Sequence, residues 1–197
     1  MVGSEVCKLL AAEGKEVRAL VRASSDTEKV AKLKALGVET VQGDLRDRAA
    51  LDAACQGVEG VITTVSSMPF AYQPGENDIA TTDLVGAKNL VDAAKAAGVH
   101  GFVYTSLSAN MDLDYPLRNA KRAVEQHLKQ SGLTYTILRP SYFVEVWLSP
   151  AVGFDAANGK VAIYGTGSQP ISWITVPDVA RFAVASLENP AAANATL

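Results

Sequence analysis

Residues 2–22 read VGSEVCKLLAAEGKEVRALVR, and two different periods share that single run. The first part, SEVCKLLAAEG, is amphipathic in the manner of a helix and stops at Gly14. The second, EVRALVR, is short, branched and strand-like, and it ends at Arg22. The same alternation continues outward through TEKVAKLKALG, VETVQGD, RAALDAACQG, GVITTVS, a long helical stretch from about Asn77 to Gly98, GFVYTS, LRNAKRAVEQHLKQSG and TYTILRP. Strand after helix after strand predicts an α/β fold, a doubly wound parallel sheet with helices on both faces.

Several helical segments end at glycine, at Gly14, Gly37, Gly57, Gly98 and Gly132, where a residue without Cβ takes the left-handed conformation that closes a helix. In the long helix Leu84, Ala87, Leu90, Val91 and Ala94 fall on one stripe, with Lys88, Asn89 and Asp92 off it, the pattern of a helix laid on a sheet. After Pro140 the rhythm changes. An aromatic patch (Tyr142, Phe143, Trp147) leads into a Gly/Pro-bearing stretch, two short strand candidates (KVAIYG and PISWIT) and a last helix from about Pro177 to Glu188, with Thr175 as its N-cap. The expected organisation is one domain over residues 1–197, with a core in 1–140 and a small substrate-side lobe in 141–197. The closing NATL reads as the start of another strand and suggests a carboxyl end cut short.

Composition narrows the function classes. With 197 residues and 48% hydrophobic content the chain can bury one sizeable core. A net charge of −3 and the absence of any Lys/Arg run argue against nucleic acid as a partner. Cys7 and Cys55 are far apart and form no Cys-x-x-Cys pair, so neither a disulfide framework nor a zinc site is expected, and the carboxylates show no metal-ligand spacing. No apolar run approaches the ~20 residues needed to span a bilayer, and no signal peptide is visible. A cytoplasmic protein without a membrane partner is the expectation. His100 and His127 have no Ser or Cys elbow near them, which disfavours a hydrolase triad.

Parallel sheets bind ligands beyond the carboxyl ends of their strands, so strand-end residues carry the candidate chemistry. In a Rossmann-like dinucleotide fold a glycine turn opens the first helix, and a charged residue follows about 20 positions on; Gly3 and Arg22 fit that interval. An acidic residue there binds a ribose 2′-hydroxyl, whereas a guanidinium forks onto a 2′-phosphate, so Arg22, with Ser24 and Ser25 as further donors, indicates NADP over NAD. The competing reading is a solvated strand-end charge. Asp44, after Gly43, suits an adenine amine, and Asp44 or Asp47 also suits a cap on the next helix, two roles that do not exclude each other. Strand GVITTVS ends in Thr64, Val65 and Ser66, and strand GFVYTS in Thr105, Ser106 and Ser108. Ser106 could orient a substrate carbonyl, although hydroxyls at strand ends also satisfy local backbone. Tyr142, Phe143, Trp147 and Trp173 could line an apolar pocket, or simply pack a core.

GDLRD, YTSLSA, NAKRAVEQHLKQSGL, TYTILRPSYFVE and ISWITVPDVARFAVASL, in this order and spacing, resemble the NmrA-like branch of the atypical short-chain dehydrogenase/reductases across essentially the whole chain. The resemblance implies an NAD(P)-binding Rossmann fold, with activities from reduction of quinones and other small molecules to redox sensing by cofactor binding alone. By position it implies Arg22 and Ser24 on the 2′-phosphate, Asp44 and Leu45 on the adenine, Thr64, Val65 and Ser66 on the ribose-side wall, and Pro140, Ser141, Tyr142 and Phe143 beside the nicotinamide. The broader superfamily's Tyr-x-x-x-Lys pair is half present. Lys121 matches the lysine that holds the nicotinamide ribose, but Leu117 stands at the tyrosine position, and Tyr115 is offered as a substitute acid. For Lys121 the alternative is an exposed helix lysine.

The function expected is an NADP(H)-dependent oxidoreductase transferring hydride to a small quinone-like or conjugated carbonyl compound. The alternative is a non-catalytic NAD(P)-binding redox sensor with a protein partner; a homodimer is compatible with either. In strand order 3-2-1-4-5 a strand belongs between EVRALVR and GVITTVS, and only the third glycine of the fingerprint, Gly3, is present. Two outcomes follow from that gap. EVRALVR pairs directly with GVITTVS, or, the favoured alternative, the natural protein has a longer amino terminus.

Overall fold

A computed structural model describes residues 1–67, 77–163 and 165–197. The chain lays down α1 (Val2–Ala12), β1 (Arg18–Val21), α2 (Thr27–Ala35), β2 (Glu39–Gln42), α3 (Arg48–Cys55) and β3 (Gly60–Thr63). A π-helical segment, Ile79–Gly86, runs into α4 (Ala87–Ala96), and β4 (Gly101–Thr105), α5 (Pro116–Ser131) and β5 (Thr134–Leu138) follow. The remaining elements are β6 (Tyr142–Phe143), α6 (Val144–Trp147), β7 (Phe154–Asp155), β8 (Lys160–Val161), β9 (Trp173–Ile174), α7 (Val176–Glu188) and β10 (Ala195–Thr196). Gly132 closes α5 at φ 86°, and Gly14, Gly37, Gly57 and Gly98 also take positive φ, the conformation their helix ends require.

The main sheet is parallel, in order β10-β5-β4-β3, with Val61 beside Phe102 and Tyr104 beside Ile137. Successive strand residues face opposite layers. Phe102, Tyr104 and Ile137 meet Leu51, Val91, Val124 and Leu128 of α3, α4 and α5 on one side. Val103 and Leu138 meet Val6 of α1 and Ala180 and Ala183 of α7 on the other. Helices therefore cover both faces, as the alternating sequence predicts. β10 is the strand expected at NATL; it pairs parallel to β5, and the Leu197 carbonyl accepts the Arg139 N–H at 2.7 Å.

Three expectations are corrected. β1 pairs with β2 in a separate parallel sheet, so EVRALVR and GVITTVS do not join directly. The two sheets are tied to each other through helices, α1 lying on α7 and α3 on α4. Second, the long helix begins in π form, with Asp78 and Thr81 capping each other reciprocally at its start. Third, KVAIYG and PISWIT shrink to the two-residue strands β8 and β9. Their apolar residues face outward, with Val161, Ile163 and Ile171 at least half exposed, so no core face extends them. Tyr164 lies outside the described residues. Among the described residues no helix is long and apolar enough to cross a membrane.

Candidate functional site

Close approaches bring the start of α1 to the carboxyl end of β3, and the loop after β2 to the segment that follows β3. A Cβ on Gly3, at the start of α1, would stand 3.2 Å from Thr64 Oγ1, so the helix start and the end of β3 form a cradle that a side chain would fill. A Cβ on Gly86 would come within 2.7 Å of Leu45 Cβ, and Asn89 Nδ2 donates to the Leu45 carbonyl at 3.3 Å; these contacts fasten the loop after β2 to the helical segment after β3.

After β1 the chain folds back tightly. The Ser25 N–H donates to the Arg22 carbonyl at 2.9 Å, and the Arg22 N–H donates to Ser25 Oγ at 3.0 Å. Arg22 and Ser24 are exposed, and among the described residues the Arg22 guanidinium makes no hydrogen bond. Asp47 caps α3 through the Ala50 N–H at 3.1 Å, which settles the capping question in its favour. Asp44 instead accepts the Arg46 N–H and the Arg46 guanidinium at 2.8 and 3.1 Å. That hydrogen bonding, aided by the Arg22 charge, holds its carboxyl below the ordinary range. Leu45 is buried in the main core.

Lys121 is no exposed helix lysine: its side chain is 5% exposed. Its ammonium donates to the Val65 carbonyl at 3.0 Å, pairs with Asp83 Oδ1 at 3.2 Å and lies 5.3 Å from the centre of the Tyr104 ring. Burial pushes the Lys121 pKa down against the opposing pull of Asp83. The other Asp83 oxygen accepts both the N–H and the hydroxyl of Ser67. Tyr104 is itself buried, its phenol raised by burial and by the nearby Asp83 and Glu125 charges; neither its hydroxyl nor that of Thr105 has a partner among the described residues.

Ser106 belongs to a second buried cluster. Its hydroxyl donates to Glu125 at 2.6 Å and accepts from Arg122 at 3.2 Å. Glu125 also accepts from Arg122 and Arg139, and Arg122 reaches the carbonyls of Leu107 and Ser108. The Ser106 hydroxyl is thereby engaged inside the protein. Pro140 is buried and its carbonyl accepts the Ser108 N–H at 3.0 Å. Ser141, Tyr142 and Phe143 are half-buried. Tyr142 meets Trp147 edge-on at 5.1 Å and Trp173 at 6.1 Å, with both indoles more than 40% exposed, so these rings form a wet aromatic ledge and do not fill a core. Tyr115 occupies the N-cap position of α5 and is half-buried, like Leu117.

Asp83, Glu125 and Arg122 had no part in the sequence reading. A signal existed: the stripe Ala87, Leu90, Ala94 extended one turn back lands on Asp83, and Lys121 and Glu125 lie one helical turn from Val124 and Leu128 on the buried face of α5. Charges at core positions of a helix are paired or functional.

Residues 1–190 match the NAD(P)H-binding protein family, and the chain belongs to it. It is 32% identical over 191 residues to the NAD(P)H azoreductase of Xenophilus azovorans, covering 96% of this chain and 60% of that protein. It is also 32% identical over 187 residues to the photosystem II assembly factor Ycf39 of Cyanophora paradoxa, covering 94% and 56%. The crystal structure of the Escherichia coli NADPH-dependent quinone oxidoreductase QOR2 complexed with NADPH superposes with a TM-score of 0.77 at 28% identity, over 100% of this chain and 65% of that one. The chain thus spans about 60% of the length of the curated relatives it matches.

Proposed function

We propose that this chain binds NADPH at the carboxyl ends of its parallel strands and belongs to a reductase of small quinone-like or conjugated carbonyl compounds. The observation that carries the reading is Arg22: an exposed guanidinium in a tight turn with Ser24 and Ser25, without an internal hydrogen bond among the described residues, in a chain of the NAD(P)H-binding family. A planar fork of this kind suits a 2′-phosphate.

The remaining roles follow the same edge. The Gly3–Thr64 cradle brings the start of α1 and its N–H groups close to a pyrophosphate. Asp44 and Leu45 border the adenine, Thr64, Val65 and Ser66 the ribose, and Pro140 to Phe143, with Thr105 behind them, the nicotinamide end. When bound, the nicotinamide supplies the hydride. The ledge of Tyr142, Trp147 and Trp173 offers a flat apolar face to an aromatic or quinonoid substrate and orients it. Tyr115, at the start of α5, is the side chain offered as a proton donor. Residues 1–140 serve as the cofactor-binding core and 141–197 supply the substrate-side lobe only up to about residue 175, since α7 and β10 return to pack on and extend the core.

A second reading, a cofactor-binding sensor that does not turn over substrate, is favoured by Leu117 at the tyrosine position and by the assembly factor among the relatives. NADPH oxidation followed across a panel of quinones, azo compounds and aldehydes separates the two. Turnover supports the reductase. Tight NADPH binding without turnover on any of them leaves only the sensor, and absence of binding removes both.

A further inference from the structure

The segment 64–67 is held from beneath by one buried ion pair. Lys121 grips the Val65 carbonyl, Asp83 grips Ser67 by N–H and hydroxyl, and the two charges hold each other. Asp83 has 0% side-chain exposure and Lys121 5%, so neither offers a charged face to a ligand. The ammonium donates to the Val65 carbonyl, lies 3.2 Å from Asp83 Oδ1 as a charge contact, with that oxygen receiving no hydrogen bond among the described residues, and sits 5.3 Å from the centre of the Tyr104 ring. With its side chain only 5% exposed, Lys121 would have to turn out of this buried position to reach a ribose. The π-helical segment matters here, since its wider turn places Asp83 inward and its last residue, Gly86, presses on Leu45 of the adenine-side loop.

We infer that Asp83 is a positioning residue for the cofactor, acting through Lys121 and Ser67 to fix the backbone of residues 64–67, and that Lys121 works with it from below and does not touch the ligand. The inference rests on the proposed NADPH site. It differs from the role that the superfamily resemblance assigns to Lys121, in which the ammonium holds the ribose directly.

Asp83→Asn, Lys121→Met, their double variant and Ser67→Ala test it by two readouts: NADPH affinity by fluorescence titration, and amide hydrogen exchange at residues 65–67 without ligand. Asp83→Asn and Lys121→Met should each weaken NADPH about tenfold, the size of one charge-assisted hydrogen bond, and should speed exchange at Ser67. The double variant should be no worse than either single one, because both act on one clamp. Ser67→Ala leaves the ion pair in place and should show a smaller effect of the same kind, which keeps the test open should a charge-removing variant fold poorly. Additive losses in the double variant, or a loss confined to Lys121→Met with exchange unchanged, would mean direct contact and overturn the inference. Faster exchange with unchanged affinity would also overturn it, by reducing the pair to a purely structural role. No NADPH binding by the unaltered protein would remove the site itself, while the ligand-free exchange would still decide whether the pair holds the segment.

Discussion

Replacing Glu125 by Gln should destabilise the protein, and by an amount that depends on pH in a defined direction. Glu125 is 4% exposed at its side chain and receives Ser106, Arg122 and Arg139, whose own side chains are 16% and 24% exposed for the two arginines. Breaking a buried pair by removing one partner costs about 3–5 kcal/mol. The arginines keep some water, and glutamine keeps one carbonyl acceptor, so we expect about 2–3 kcal/mol here. At a urea dependence of about 2 kcal/mol per molar, the unfolding midpoint should fall by about 1 M. Burial alone would raise the Glu125 pKa, but the hydrogen bonds from Arg139 and Ser106 and the charges of Arg122 and Arg139 outweigh it and hold the carboxyl below its ordinary value. A depressed carboxyl stabilises the fold fully above its unfolded pKa of about 4.3 and loses that contribution as pH falls through the folded value. The gap between wild type and Glu125→Gln should therefore be complete at neutral pH and shrink below about pH 4.3. Asp44 and Asp178 are also depressed, but they titrate in both proteins and cancel in the difference, whereas Asp112 shares Arg122 with Glu125 and does not cancel. A loss below about 0.5 kcal/mol, or one that does not shrink in acid, would refute a charged and strongly coupled Glu125.

Two further perturbations probe the site. Arg22→Ala should weaken NADPH by about tenfold or more and leave NADH unchanged, because only the 2′-phosphate loses a charged partner; equal losses for the two cofactors in parallel titrations would count against the assignment. Gly86→Ala would place a Cβ 2.7 Å from Leu45 Cβ and 3.0 Å from the Thr81 carbonyl, neither at the end of a flexible chain. It should cost about 1–3 kcal/mol in thermal or urea unfolding, and an unchanged midpoint would show that the contact yields easily.

The strand ends were legible in the sequence because period and punctuation are local. Gly132 and Thr175 mark helix ends through their own backbone and hydroxyl chemistry, and they do so in the structure. What was not legible depends on meetings across the chain. Lys121 and Asp83 are 38 positions apart in sequence, and nothing in either neighbourhood announces that they neutralise each other against Tyr104. Ser106 looked like a strand-end hydroxyl free for a substrate until Glu125, from another element, claimed it. The π-helical start of the long helix was equally hidden, since its apolar stripe drifts too little over one or two turns to separate the two helical pitches.

On the proposed site, a dinucleotide would reach from the β1–β2 sheet across to the four-stranded sheet. Arg22 and Asp44 ride on the smaller sheet, Thr105 and Pro140 on the larger, and helix contacts hold the two together without shared strand hydrogen bonds among the described residues. A ligand that grips both sheets acts as a chelating staple. Its two halves bind as tethered partners, each raising the effective concentration of the other, so an adenosine-side fragment and a nicotinamide-side fragment added separately would forfeit affinity that the intact molecule gains from its own covalent link.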